Sequence, residues 1–143
     1  MDDRDLRLLS ALAENAWLTY VELGTIAHLS ASAAQRRVER LIAQGAIEGA
    51  HASISPKALG RPLRLYALVE LRDESRTTIS AFAKRMMSEP EIIEAHYVAG
   101  TADILIAMQT SDMNRYADFA EKHLNANPAV RRYKTLTGMR RLK

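Results

Sequence analysis

The sequence contains no cysteine. Disulfides, thiolate metal sites and cysteine nucleophiles are thereby excluded, and a reducing compartment suits the chain. Long apolar runs are missing as well. No stretch of about eighteen apolar residues occurs, so no segment is built to cross a bilayer as a helix. The opening MDDRDLRLL is acidic and lacks the basic-then-apolar order of a secretion signal, so a cytoplasmic, nucleoid-associated protein is expected. The four histidines, His28, His51, His96 and His123, are dispersed without metal-ligand spacing, and no metal site is expected. No paired-carboxylate, phosphate-loop or nucleophile pattern appears, so no catalytic residue and no cofactor is assigned. Low-complexity segments and short-period repeats are also absent.

What is present is a chain of 143 residues, 48% apolar, enough for one ordinary domain or two small ones with a real core. Net charge is +3, a weak pointer to an anionic partner. Its distribution is uneven. Residues 1–60 hold six Lys/Arg against seven Asp/Glu, a net of −1, and the remainder holds fourteen against ten, a net of +4. Half of the basic charge of the first sixty residues lies in Arg36, Arg37 and Arg40. Any affinity of this half for nucleic acid must be local and not a general basic field.

Three helices are predicted there. The first begins at Asp2 or Asp3 and runs to about Ala13, with Leu6, Leu9, Leu12 and Ala13 at helical spacing and acidic residues at the positive end of the dipole. Thr19 and Glu22 form a T-x-x-E capping box that opens a short second helix ending near His28-Leu29. Trp17, just before it, is expected to be partly buried against the helical core. Ser30 caps the third helix, whose buried stripe is Ala34, Val38, Leu41 and Ile42, and Gly45 ends it in a left-handed conformation. Three short helices with a tight second link make a helix-turn-helix. The major groove admits one α-helix, and side chains near its start reach base edges. Ser32, Gln35 and Arg36 fall within roughly two turns of the cap on one face. Gln35 suits adenine and Arg36 guanine. Arg40, one turn on, suits a phosphate, and Ser30 with the helix N-terminus can hold another. Arg37 is either a phosphate contact or a structural partner of Glu22 or Glu39.

Residues 46–60, with Gly49, Pro56 and Gly60, read as a short strand or wing and a linker, and Arg61-Pro62 as the domain boundary. Beyond it the pattern changes. Strands are predicted over 63–71, 92–98, 103–110 and 130–139, and helices over 77–88 and 112–125. Ile79, Phe82, Ala83 and Met86 face inward on one helix, and Tyr116, Phe119, Ala120 and Leu124 on the other. Met86, Met87 and Met113 are expected to pack. The order is β-α-β-β-α-β, a ferredoxin-like plan. The fold class is therefore α+β, an N-terminal winged helix-turn-helix followed by a C-terminal ferredoxin-like βαββαβ domain. The boundaries are 1–50, a wing and linker over 51–62, and 63–143.

Taken together, the chain resembles the Lrp/AsnC transcription regulators over almost its whole length. Asp2, Asp5, Leu8 and Leu9 match the opening D-x-x-D-x-x-[IL]-L. Leu29-Ser30, RRVERL at 36–41 and GAIEG at 45–49 match the recognition helix and its turn. PKALG at 56–60 matches the inter-domain link, and EIIEAHYVAGTAD at 91–103 resembles E-V-x-x-x-x-x-x-G-x-x-D. The resemblance implies a regulator of double-stranded DNA that dimerises through its sheets, assembles to a tetramer or octamer, and binds an amino acid or related metabolite. It implies an effector site around Gly100, Thr101 and Asp103, with Thr135 and Thr137 adding hydroxyls. Asp103 would accept from an ammonium group, or else cap its turn. The chain departs from the family at Trp17, where a basic residue is common, at Thr101-Ala102, and at Gly138. Two other classes stay open. One is a tetrapyrrole-modifying enzyme like the sirohaem decarboxylase subunits, for which RLYALVELRD at 64–73 lacks a histidine. The other is a ligand-sensing scaffold with weak DNA binding.

Overall fold

The computed structural model describes residues 1–140. The chain forms two compact units, Met1–Ser53 and Ile54–Lys143.

The first unit is helical: α1 (Asp3–Glu14), α2 (Tyr20–Ala27) and α3 (Ala31–Ala43). Each start is written in a side chain that takes an orphan N–H of the first turn. The Asp5 N–H donates to Asp2 and the Asp2 N–H to Asp5, both at 3.0 Å, a capping box made by two aspartates. Thr19 and Glu22 make the second box, and Ser30 accepts from the Ala33 N–H. The ends are equally local. His28 turns α2 off with φ +54. Gly45, at φ +71, closes α3 in a Schellman arrangement: the Ala46 N–H donates to Leu41 O and the Gly45 N–H to Ile42 O, each at 2.9 Å. Leu8, Leu23, Ala27, Ala34 and Val38 form the core, with Leu12, Leu18, Leu29 and Ile47 packed against it.

Three expectations fail here. Ile42 is 53% exposed, because Leu41 takes the core position and Ile42 lies at the edge of the stripe. Trp17 is 83% exposed. The Asn15 side chain accepts from the Trp17 N–H at 3.0 Å, turning the chain so that Leu18, and not Trp17, packs on the core. Residues 46–60 contain no strand. Residues 46–53 belong to the helical unit and find no strand there to pair with, and 56–60 close into a turn.

The second unit is a four-stranded antiparallel sheet of β1 (Leu63–Leu71), β2 (Ile92–Tyr97), β3 (Ile104–Thr110) and β4 (Val130–Gly138), ordered β2-β3-β1-β4. Helices α4 (Arg76–Met87) and α5 (Met113–Ala120) pack on one face. Leu65, Ala67 and Val69 alternate into that face with Ile104, Ile106 and Met108, beneath Phe82, Met86, Tyr116 and Phe119. The alternate residues Tyr66, Leu68, Leu105 and Leu136 lie on the opposite face, away from α4 and α5. The βαββαβ order stands as expected. Met86 is buried, but Met87 is 87% exposed and Met113 is exposed too, each on the solvent side of its helix. The second helix is also less regular than expected: from Glu121 to Asn125 it is π-helical. That wider turn seats buried His123 against Phe119, ring centroids 5.0 Å apart, where its Nδ1 accepts from Arg85.

Candidate functional site

The turn from α2 to α3 fixes how α3 is presented. The Leu29 N–H donates to Gly24 O at 2.8 Å. The approach is so close that a Cβ on Gly24 would lie 2.7 Å from Leu29 O. Ala34, Val38 and Leu41 turn inward. At about 100° per residue, Ser32, Arg36 and Glu39 then face away, flanked by Gln35 on one side and Arg40 on the other.

The six residues singled out on this helix fall into different states. Arg36 is exposed and has no hydrogen bond or ion pair among the described residues. Ser32 is exposed, its hydroxyl 3.2 Å from that of Ser30, which also serves as the cap. Gln35 donates through Nε2 to Glu39 at 2.9 Å, leaving its carbonyl oxygen free. Arg37 binds neither Glu22 nor Glu39. It reaches across to α1, with Nη1 2.8 Å from both Asp2 and Asp5. Arg40 also turns to α1, with Nη2 2.8 Å from both oxygens of Asp5. Asp5 is 1% exposed, and three donors compensate its charge: the Asp2 N–H, Arg37 and Arg40. Those bonds, the Asp2 N–H first, hold its carboxyl below the usual range against the opposing effect of burial. The Asp2 carboxyl is lowered to about 2, chiefly by its hydrogen bond to Arg37.

In the second unit, Gly100 adopts φ +148 in the exposed β2–β3 turn, with open space where a side chain would stand. Thr101 beside it is exposed, and Ala102 is buried. Asp103 is tied to β1: its Oδ2 accepts from the Leu71 N–H at 2.7 Å, and its own N–H donates to Val69 O at 3.0 Å. Its carboxylate therefore ends β1 and does not cap its own turn. Thr135 and Thr137 sit opposite Ala67 and Leu65 on the helix-covered side of β4. The Thr135 hydroxyl is hydrogen-bonded to that of Tyr116. His96 is exposed beside Glu94. Sequence reasoning missed Glu39 on the outward face of α3 and the part played by Asp2 and Asp5. The charge run 36–40 held the first signal, and the second needed contacts more than thirty residues apart.

Comparison with known proteins agrees with this division. Residues 1–42 match the AsnC-type helix-turn-helix domain and residues 64–143 the Lrp/AsnC ligand binding domain. An uncharacterized HTH-type transcriptional regulator from Sinorhizobium fredii is 34% identical over 143 residues, covering 100% of this chain and 85% of its own. The leucine-responsive regulatory protein of Rhizobium meliloti is 32% identical, covering 100% and 92%. A transcriptional regulator from Neisseria meningitidis, solved in complex with L-methionine, superposes with a TM-score of 0.92 at 26% identity, covering 100% and 92%. The chain belongs to the Lrp/AsnC family of DNA-binding transcriptional regulators, with a helix-turn-helix unit and a ligand-binding unit.

Proposed function

We propose that the protein acts as a dimer or larger homo-oligomer, a tetramer or octamer, holding two copies of α3 in successive major grooves of double-stranded DNA. In this reading an amino acid or related metabolite bound at the second unit tunes that grip. Residues 1–50 serve recognition, 51–62 link, and 63–143 assemble the oligomer and sense the effector. Arg36 carries the reading: a guanidinium fork, unpaired among the described residues, near the start of an exposed helix that is capped and packed on its other side. One such helix reads only a few base pairs, so specificity needs a second at fixed spacing. The sheet face away from α4 and α5, with Tyr66, Leu68, Leu105 and Leu136, supports pairing through the second unit. The Gly100 turn and exposed Thr101 support an effector site, where Asp103 keeps Oδ1 for an ammonium group; Thr135, bonded to Tyr116, and Thr137 lie apart from it on β4. That a similar regulator was solved with L-methionine supports an amino acid as the ligand class. The family's regulators favour this reading over a tetrapyrrole-modifying enzyme. A regulator of this kind works in the cytoplasm, on the nucleoid.

The test has two arms. A duplex selected from a random pool by the wild-type protein is titrated with wild type and Arg36→Ala, and an affinity loss of about 10- to 100-fold is expected. Equal affinities refute the placement of α3. A thermal-shift panel of the amino acids, with sizing by light scattering, tests the second unit. A ligand of the folded state must raise the melting temperature, and no shift with any amino acid refutes an amino acid as the effector.

A further inference from the structure

Arg37 and Arg40 look, by sequence, like part of a basic cluster offered to DNA. We propose instead that they belong with Asp2 and Asp5 to an ion lattice that sets the rotation of α3, and that Asp5 is thereby a positioning residue for operator recognition. The inference rests on the reading that α3 enters the groove.

Four side chains from two helices meet here at 2.8 Å, and every oxygen of both carboxylates is engaged. The apolar stripe of Ala34, Val38 and Leu41 attracts α3 to its neighbours without direction, as apolar surfaces do. A shift of one residue in rotation, about 100°, would swap Arg36 for Gln35 or Arg37 on the outward face. The lattice is directional where the stripe is not. Arg37 and Arg40 lie three residues apart on one flank of α3 and are both keyed to the first turn of α1, which the Asp2–Asp5 box makes rigid.

The same bonds decide what the two guanidiniums can do for DNA. A phosphate that drew both away would leave Asp5, 1% exposed, charged and unpaired in the interior. Two carboxylates also neutralise two guanidiniums locally, leaving Arg36 as the free cation of the cluster among the described residues. Recognition by this unit then depends little on bulk charge, in keeping with its five arginines against seven acidic residues over 1–53.

The dependence of binding on salt reports how many phosphates the protein neutralises, because each one releases counterions. Full-length wild type, Arg40→Gln, Arg37→Gln, Asp5→Asn and Arg36→Ala are titrated against the selected duplex and a scrambled duplex of the same length, over a range of salt. The lattice predicts that Arg37→Gln and Arg40→Gln leave the log–log salt slope unchanged. Were either arginine seated on a phosphate in both protomers of a dimer, its removal would flatten the slope by about 1.8, and that result overturns the proposal. Asp5→Asn frees the Arg40 guanidinium, leaves Arg37 on Asp2 alone, and unlocks α3. Its affinity for the scrambled duplex should rise with a steeper slope, while the ratio of specific to scrambled affinity falls about tenfold. Simple loss of folded protein lowers both affinities together, and an unchanged ratio overturns the positioning role. Should Asp5→Asn fail to fold, Arg40→Gln decides, since it leaves Arg37 on Asp5 and removes a half-exposed side chain. Arg36→Ala separates this inference from the one beneath it. Its loss of operator affinity beside an unchanged Arg40→Gln slope supports the lattice, and no loss refutes the groove placement and the lattice's role in recognition with it.

Discussion

Gly24→Ala is the smallest change that tests how α3 is presented. The added Cβ would stand 2.7 Å from Leu29 O and 3.3 Å from both Ala31 N and Ser30 C. All three are backbone atoms, so no rotamer relieves the clash. The link must withdraw by about 0.7 Å before the closest approach reaches the ordinary range that begins at 3.4 Å. Overpacking of this sort costs about 1–3 kcal/mol, and alanine's better helix propensity returns about 1 kcal/mol. The helical unit should therefore lose about 1 kcal/mol. The larger effect falls on function, because the atoms pushed away belong to Ser30 and Ala31, the cap and first residue of α3. A displacement of that size spoils two-point contacts to a base, and operator affinity should fall about tenfold. Gly45→Ala is the control. It forces alanine to φ +71, at a cost of about 1–2 kcal/mol, but meets no atom within 4 Å and lies beyond the far end of α3. The two variants are compared by hydrogen exchange at the amides of α1–α3 and by duplex titration. Similar stability losses are expected, with a drop in affinity only for Gly24→Ala. Wild-type affinity in Gly24→Ala, or equal losses in both, would refute the reasoning.

Two predictions concern the second unit. Tyr116→Phe removes the partner of the Thr135 hydroxyl and should cost about 1 kcal/mol in urea unfolding; no change would mean that the bond contributes nothing. His123 is disfavoured in its charged form, first by burial and then by Lys122 and Arg85, with Glu89 opposing, so its pKa lies below the ordinary 6.5. The unfolded chain therefore takes up the proton first, and stability is lost as pH falls below about 6.5 toward the folded value. Wild type should lose melting temperature over that range relative to His123→Gln, and parallel curves would contradict the assignment.

The elements of both units were legible because their signals are local. Asp2, Thr19, Ser30 and Asp112 cap helices within three residues of themselves, and Gly45 ends one the same way. The strand order β-α-β-β-α-β followed from alternation and turns. What stayed hidden was set by partners distant in sequence. Arg37 and Arg40 find Asp5 from 32 and 35 residues away. Asp103 meets the Leu71 N–H across 32 residues, and Arg85 meets His123 across 38. Periodicity says which way such side chains point but not which charge waits there. Trp17 misled for a different reason: its size argued for burial, and the Asn15 turn that exposes it outweighed that.

The central claim is that α3 reads bases through Arg36, and guanine methylation interference tests it most directly. An Arg fork on guanine engages N7 and O6, so methylating N7 of the contacted guanine should abolish wild-type binding at one position in each half-site. With Arg36→Ala that position should become indifferent to methylation while every other interfering position persists. An identical interference pattern for the two proteins would contradict the account.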